Sequence, residues 1–300
     1  MSVGNNVLQS AMACFKASRL PDTHKGDYGR VLIIAGSQGM TGAAYLCAKA
    51  ALHMGAGLVY VACPKGLLHT YECLVPEAVK IPVGTQEDLW FKEEHFTALT
   101  KSAVGKDAIV LGPGLGTAIE TQKLVRALLA EPSFTQDAKG IVVDADGLNA
   151  WKKYRPELES CASPKLILTP HEGEFARLTG TSVSDIHAHR KEQAESFARK
   201  LSGATVLLKG AGTVCTDGTH TYINTTGNPG MATGGSGDVL AGMLAGLVAT
   251  ERQEDLFTLC TYGAFLHGLC GDRAAAKYGE RFVTAGCLIE EMGALCNDAR

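Results

Sequence analysis

Six short runs with almost no charge limit what this chain can fold into: Val31 to Ala35, Leu58 to Cys63, Ala108 to Leu111, Ile141 to Val143, Leu166 to Thr169 and Val206 to Leu208. They are rich in β-branched residues, and glycine and then a longer alanine- and leucine-rich stretch tend to follow them. Strands covered on one face alternate polar and apolar residues, whereas strands covered on both faces are apolar throughout. The pattern predicts an α/β fold with a mainly parallel central sheet flanked by helices on both faces. Val214 to Asn224, with Asp217-Gly218 in its middle, predicts a hairpin, after which three helices complete the chain. Thr41 is expected to cap a helix reaching about His53, and Ser184 to precede an amphipathic helix reaching about Leu201. Gln86 to His95 reads as a surface connection. With no linker or repeat, residues 1–300 are expected to form a single domain.

Charge and cysteine usage exclude several functions. Lysine and arginine total 28 against 31 acidic residues, a net charge of −3. Nucleic acid is therefore not an expected partner. The ten cysteines (14, 47, 63, 73, 161, 215, 260, 270, 287 and 296) are never two or three apart, so zinc-ligand and CxxC spacings are absent. Several lie in apolar runs as small hydrophobes, which implies reduced thiols and a cytoplasmic location. No membrane-spanning or secretory segment is read.

The chemistry is expected at Gly234-Gly235-Ser236-Gly237-Asp238, where glycines precede a helix. Backbone N–H groups turned toward one point at a helix start form an anion site. Asp238, in the first helical turn, is placed to orient or deprotonate a hydroxyl beside that anion, as phosphoryl transfer requires. A tight turn with a dipole-complementing acid would show the same residues.

Other polar or glycine-rich loops follow the apolar runs, where open α/β sheets bind ligands. Lys209-Gly210-Ala211-Gly212-Thr213 lets backbone approach a nucleotide. His171 is read as a substrate ligand, while Glu172 and Glu174 serve equally as helix-start residues or as supports for a metal-bound phosphate. Asp144 and Asp146 suit either capping or water-mediated Mg²⁺ binding. Gly112-Pro113-Gly114-Leu115-Gly116 departs from the dinucleotide fingerprint in its proline, its spacing and its place after an internal strand. A redox Rossmann site is disfavoured. Gly36 to Ala44 forms one more loop with small residues.

Together Lys25 to Arg30, Gly36 to Ala44, Gly112 to Gly116, Asp144 to Asn149, Thr169 to Phe175, Lys209 to Thr213 and Asn228 to Asp238 resemble the ADP/ATP-dependent NAD(P)H-hydrate dehydratase family of the ribokinase-like superfamily. The resemblance implies a hydro-lyase that repairs the S epimer of hydrated NADH or NADPH (NADHX or NADPHX). An adenine nucleotide phosphorylates the ring hydroxyl and phosphate then leaves. It further implies that Ala43, Gly114, Gly116, His171 and Asp238 contact the hydrate, that Lys209, Gly210, Ala211, Gly212, Thr213 and Gly237 hold the nucleotide, and that Asp238 is catalytic. Mg²⁺ is the implied cofactor, with ligands unassigned, and a homotetramer is the implied assembly. The wording of Gly36 to Ala44 and Pro170 to Glu174 is closer to the bacterial-type, ADP-using branch. Some relatives carry an epimerase domain for which this chain has no room, so a separate epimerase is the expected functional partner. The alternatives are a ribokinase-like kinase of a hydroxymethylpyrimidine or thiazole alcohol, and a nucleotide-sensing protein without turnover.

Overall fold

A computed structural model describes residues 9–13, 19–251 and 253–295. Cys14 and Cys296 lie outside them.

Nine strands form one sheet: β1 (Arg30–Ile34), β2 (Leu58–Pro64), β3 (Val79–Val83), β4 (Ala108–Leu111), β5 (Gly140–Val143), β6 (Leu166–Leu168), β7 (Thr205–Leu208), β8 (Val214–Thr216) and β9 (Thr221–Ile223). Their order is β3-β2-β1-β4-β5-β6-β7-β8-β9. β1 to β7 run parallel, and β8 and β9 are the antiparallel hairpin. Register follows Val31 opposite both Val59 and Ala108. Six of these strands coincide with the six apolar runs. The sequence reading misses β3 because Lys80 and Pro82 interrupt it. As an edge strand β3 has one unpaired side, where a residue without an N–H is tolerated.

Successive residues of one strand enter opposite cores. Val31 and Ile33 pack into one cluster, Leu32 and Ile34 into the other. Burial on both faces is why these strands carry no polar alternation.

The first core lies beneath helices α1 (Thr41–His53), α5 (Ser236–Thr250), α6 (Leu256–Tyr278) and α7 (Ala285–Ala294); the second includes α2 (Glu172–Thr179), α3 (Val183–Ala188) and α4 (Arg190–Lys200). Phe175 and Phe197 join α2 to α4 in an edge-to-face contact with centroids 5.2 Å apart. Where one helix from Ser184 to Leu201 is expected, the chain breaks at His189 (φ −136°), and Ser182 supplies the cap. Thr41 is the first residue of α1 and makes no cap bond. The segment from Gln86 to His95 is less superficial than expected, since Asp88, Phe91 and His95 are buried.

α1 and α5 meet backbone to backbone. A Cβ at Gly242 would lie 2.2 Å from the Cys47 carbonyl oxygen, and one at Gly246 would lie 2.6 Å from Met54 Cβ. Glycine is required there by contact, and a side chain would force the helices apart.

The eight cysteines among the described residues are unpaired. No helix among them is long and apolar enough to cross a membrane.

Candidate active site

The chain crosses from one side of the sheet to the other between β1 and β4, and the carboxyl ends of β1 and β4 to β7 carry the polar loops. Such a switch point opens a crevice for ligands. Gly36 N donates to Pro113 O at 2.7 Å, and Ser37 Oγ donates to Gly114 O at 2.9 Å, tying the two switch-point loops together. A Cβ at Gly114 would lie 2.9 Å from Ala43 Cβ, and one at Gly116 would lie 3.6 Å from Met40 Cε. The structure thus assembles Ala43, Gly114 and Gly116 into one surface.

Asp146, at the start of the short helix Asp146–Asn149, accepts the Gly116 N–H at 2.8 Å and the Asn149 side-chain amide at 3.3 Å. Just before it, Ala145 has φ 52° and ψ −115°. A residue with a Cβ is strained in this left-handed region, and the surrounding fold must impose it. The kink lets Asp144 and Asp146 serve different neighbours.

Asp144 is buried, accepting from Thr169 Oγ1 at 2.7 Å and from Lys209 Nζ at 2.7 Å. Glu174 Oε2 lies 4.0 Å from the same ammonium. Burial disfavours the Lys209 charge, yet Asp144, Glu174 and Asp238 outweigh it and hold its pKa above the ordinary lysine range.

His171 caps α2. Its Nδ1 accepts from Gly173 N at 3.0 Å and from Glu174 N at 3.4 Å, while Glu174 Oε2 takes the His171 N–H at 2.9 Å. Both residues therefore satisfy the helix start, and the His171 side chain remains half-exposed. Glu172 is bound instead to Arg190 and His187.

A cavity of about 830 Å³ opens beside these groups. Its wall unites Lys209, Gly210, Ala211, Gly212 and Thr213 with Gly237, and His171 joins the same wall. Gly210 and Gly212 take φ of 149° and 65°, which curls the loop so that its backbone borders the cavity. At the start of α5 only Gly235 is left-handed, with φ 90°. Gly237 is glycine for a different reason, since a Cβ there would sit 3.2 Å from Lys209 Nζ. Gly237→Val is expected to weaken adenine-nucleotide binding about tenfold or more by crowding this corner, a loss that titration calorimetry would read directly.

Ala43, Gly114, Gly116 and Asp238 are not on the cavity wall. Asp238 follows Gly237 and feels Asp144, Lys209 and Asp146. Burial chiefly, then repulsion from Asp144, pushes its carboxyl up to about 6 against the pull of Lys209, with Asp146 adding to the rise. A base near neutrality is well matched to accept a hydroxyl proton.

His267, which the sequence reading missed, also lines the cavity. Its Nε2 lies 3.0 Å from Ser236 O, and burial pushes its pKa down to about 4, so it is neutral near pH 7. It sits inside the apolar helix α6, where no strand end marks it.

Solved structures with this architecture include a ribokinase-like superfamily protein from Enterococcus faecalis (TM-score 0.80, 25% identity, covering 97% of this chain and 94% of that one). Another is the ADP/ATP-dependent NAD(P)H-hydrate dehydratase from Bacillus subtilis co-crystallised with ATP/Mg²⁺ (TM-score 0.78, 27% identity, covering 97% and 96%). The chain has the ribokinase-like α/β fold. The sequence profile of the NAD(P)H-hydrate dehydratase family matches residues 31–293, and the chain belongs to that family. The bifunctional NAD(P)H-hydrate repair enzyme Nnr of Moorella thermoacetica is 43% identical over 274 residues, which cover 89% of this chain and 49% of that protein. Its counterpart in Thermofilum pendens is 40% identical, covering 90% and 50%. The chain thus spans about half the length of these curated relatives.

Proposed function

We propose that residues 1–300 act as one catalytic unit, a hydro-lyase that dehydrates the S epimer of NADHX or NADPHX at the cost of an adenine nucleotide, ADP in preference to ATP. The observation that carries this reading is Asp238, a carboxylate with a pKa of about 6, set one residue from the Gly237 corner of the nucleotide-sized cavity. The hydrate would lie against Ala43, Gly114 and Gly116 with His171 at its edge, and the nucleotide along Lys209 to Thr213 and Gly237.

Asp238 takes the proton of the ring hydroxyl as its oxygen attacks the terminal phosphorus of the nucleotide. The N–H groups at the start of α5 and the Lys209 ammonium stabilise the charge on the transferred group. The shortened nucleotide departs as the phosphoester forms; phosphate then leaves with the former hydroxyl oxygen while the adjacent ring carbon gives up a proton to water, and the double bond of the reduced ring is restored. Phosphorylation serves the elimination by turning hydroxide, a poor leaving group, into phosphate.

The oxygen donors fit Mg²⁺, which binds one or two carboxylates together with phosphates and water. Asp144 and Glu174 would hold it, and it would neutralise phosphate charge. The other hydrate epimer would be converted by an epimerase outside these residues. The unpaired thiols support a cytoplasmic setting, and a homotetramer, as the resemblance implies, is measurable by light scattering.

Purified protein mixed with NADHX, Mg²⁺ and ADP or ATP is expected to regenerate NADH absorbance and free phosphate, faster with ADP. A stable phosphoester of a pyrimidine or thiazole alcohol, with no NADH recovery, would establish the small-molecule kinase instead.

A further inference from the structure

We infer that Arg190 is a positioning residue for the adenine nucleotide, pinning the Gly210 turn of the nucleotide loop from the side away from the cavity and so setting nucleotide affinity. This rests on the nucleotide lying along Lys209 to Thr213, as proposed above.

Arg190 opens α4, where the positive end of the helix dipole faces a side chain that is itself a cation. The helix gains nothing from it there. Instead the side chain turns toward the end of β7, where only 15% of it is exposed. Nη2 donates to Leu208 O at 2.9 Å, and Nη1 donates to Glu172 at the start of α2. Among the described residues these are its only hydrogen-bond partners, and Nε is buried without one. Burial opposes the Glu172 charge, yet hydrogen bonds from His187 and Arg190 outweigh it and hold the carboxyl below the ordinary glutamate range. Glu172 is thus a standing counter-charge for the guanidinium.

The residues that follow Leu208 are held as closely. Lys209 N donates to Pro170 O at 2.8 Å. A Cβ at Gly210 would lie 2.7 Å from Arg190 Nη1 and 2.9 Å from Nη2 but 3.1 Å from Cζ, so the edge between the two nitrogens abuts Gly210. Gly210 belongs to the cavity wall and Arg190 does not, which places the arginine behind the loop rather than against the ligand. With φ at 149°, Gly210 takes a conformation that glycine reaches easily and leaves as easily. An unpinned turn would have to be ordered by the nucleotide, at a cost in affinity; the arginine orders it beforehand. None of these contacts involves Asp238, so the chemical step is left alone.

Wild type, Arg190→Gln, Arg190→Lys, Gly210→Ala and the double variant combining Arg190→Gln with Gly210→Ala are compared by ADP titration calorimetry and by steady-state dehydration of NADHX. Arg190→Gln is expected to weaken ADP binding about tenfold and to raise the KM for ADP in step, with kcat at saturating ADP within about twofold of wild type. Lysine keeps the charge beside Glu172 but cannot hold both acceptors along one edge, so it should recover part of the loss. Gly210→Ala should cost about tenfold or more where its methyl meets the guanidinium, and about threefold in the glutamine background, where only backbone strain is left. Unchanged ADP affinity in a folded Arg190→Gln, with or without a fall in its thermal midpoint, overturns the assignment. Equal costs of Gly210→Ala in the two backgrounds overturn it too. If the glutamine variant does not fold, the lysine variant decides: wild-type ADP affinity overturns the assignment, and a severalfold loss at an unchanged thermal midpoint upholds it. A wild type that binds ADP but regenerates no NADH overturns the dehydratase reading and leaves this one intact. A wild type that binds no adenine nucleotide overturns the nucleotide placement, and this assignment with it.

Discussion

Asp238→Ala is expected to lower turnover by about three to four orders of magnitude while adenine nucleotide still binds, because it removes a group whose contribution is made in the transition state. Undiminished dehydration by this variant would remove Asp238 from the mechanism. The same carboxyl sets a pH dependence. With its pKa pushed up to about 6, it is ionised at pH 7 and protonated below about pH 6, so kcat/KM should fall with decreasing pH through that value. Stability should respond in the opposite sense. An aspartate near 3.9 when unfolded and near 6 when folded binds more protons in the folded state between those values. Its contribution to stability is therefore lost as pH rises through that window. Asp238→Asn, which cannot ionise, should raise the unfolding free energy at pH 7 by about 1–2 kcal/mol while abolishing turnover. Urea denaturation at pH 4.5 and pH 7 tests the sign, since the gain should shrink at the lower pH.

The second large effect is expected from Asp144→Ala. Both Lys209 Nζ and Thr169 Oγ1 bond to Asp144 Oδ1, so the substitution leaves a largely buried ammonium and a buried hydroxyl without that acceptor. The expected cost is about 2–4 kcal/mol of stability, with nucleotide affinity falling alongside because Lys209 is no longer held at the Gly237 corner. Asp144→Ala combined with Lys209→Met should recover much of the stability and none of the nucleotide binding. A double variant whose destabilisation equals the sum of those of Asp144→Ala and Lys209→Met alone, in denaturant titrations, would show that the pair is not coupled.

The strands buried on both faces were legible because nothing but apolar residues can occupy them. β3 was not, because Pro82 and Lys80 are compatible with a strand only at a sheet edge, a position set by topology. The split between α3 and α4 was likewise hidden, since His189 is ordinary in a helix and only its observed dihedral reveals the break. Most of the candidate site was legible for a related reason. Polar and glycine-rich segments directly after apolar runs have nowhere to go but the carboxyl end of the sheet. What each side chain does there was less accessible. Gly235 and Gly237 look equivalent in sequence, but one supplies a left-handed turn and the other leaves space for an ammonium. Ala145 gives no signal at all, because alanine is not a residue chosen for positive φ and its strain is imposed by the loops around it.

The bare seam between α1 and α5 bears on how a protein of this kind can diversify. With Gly242 against the Cys47 carbonyl and Gly246 against Met54, no side chain separates the two backbones, so no exchange of one side chain for another can adjust their spacing. Ala43 rides on α1 and Asp238 on α5, which makes that wall of the crevice behave as a casting in one piece. New substrate preferences would have to arise on the opposite wall, in the loops after β4, β5 and β6, where an insertion or a changed side chain leaves the position of the Asp238 carboxylate intact.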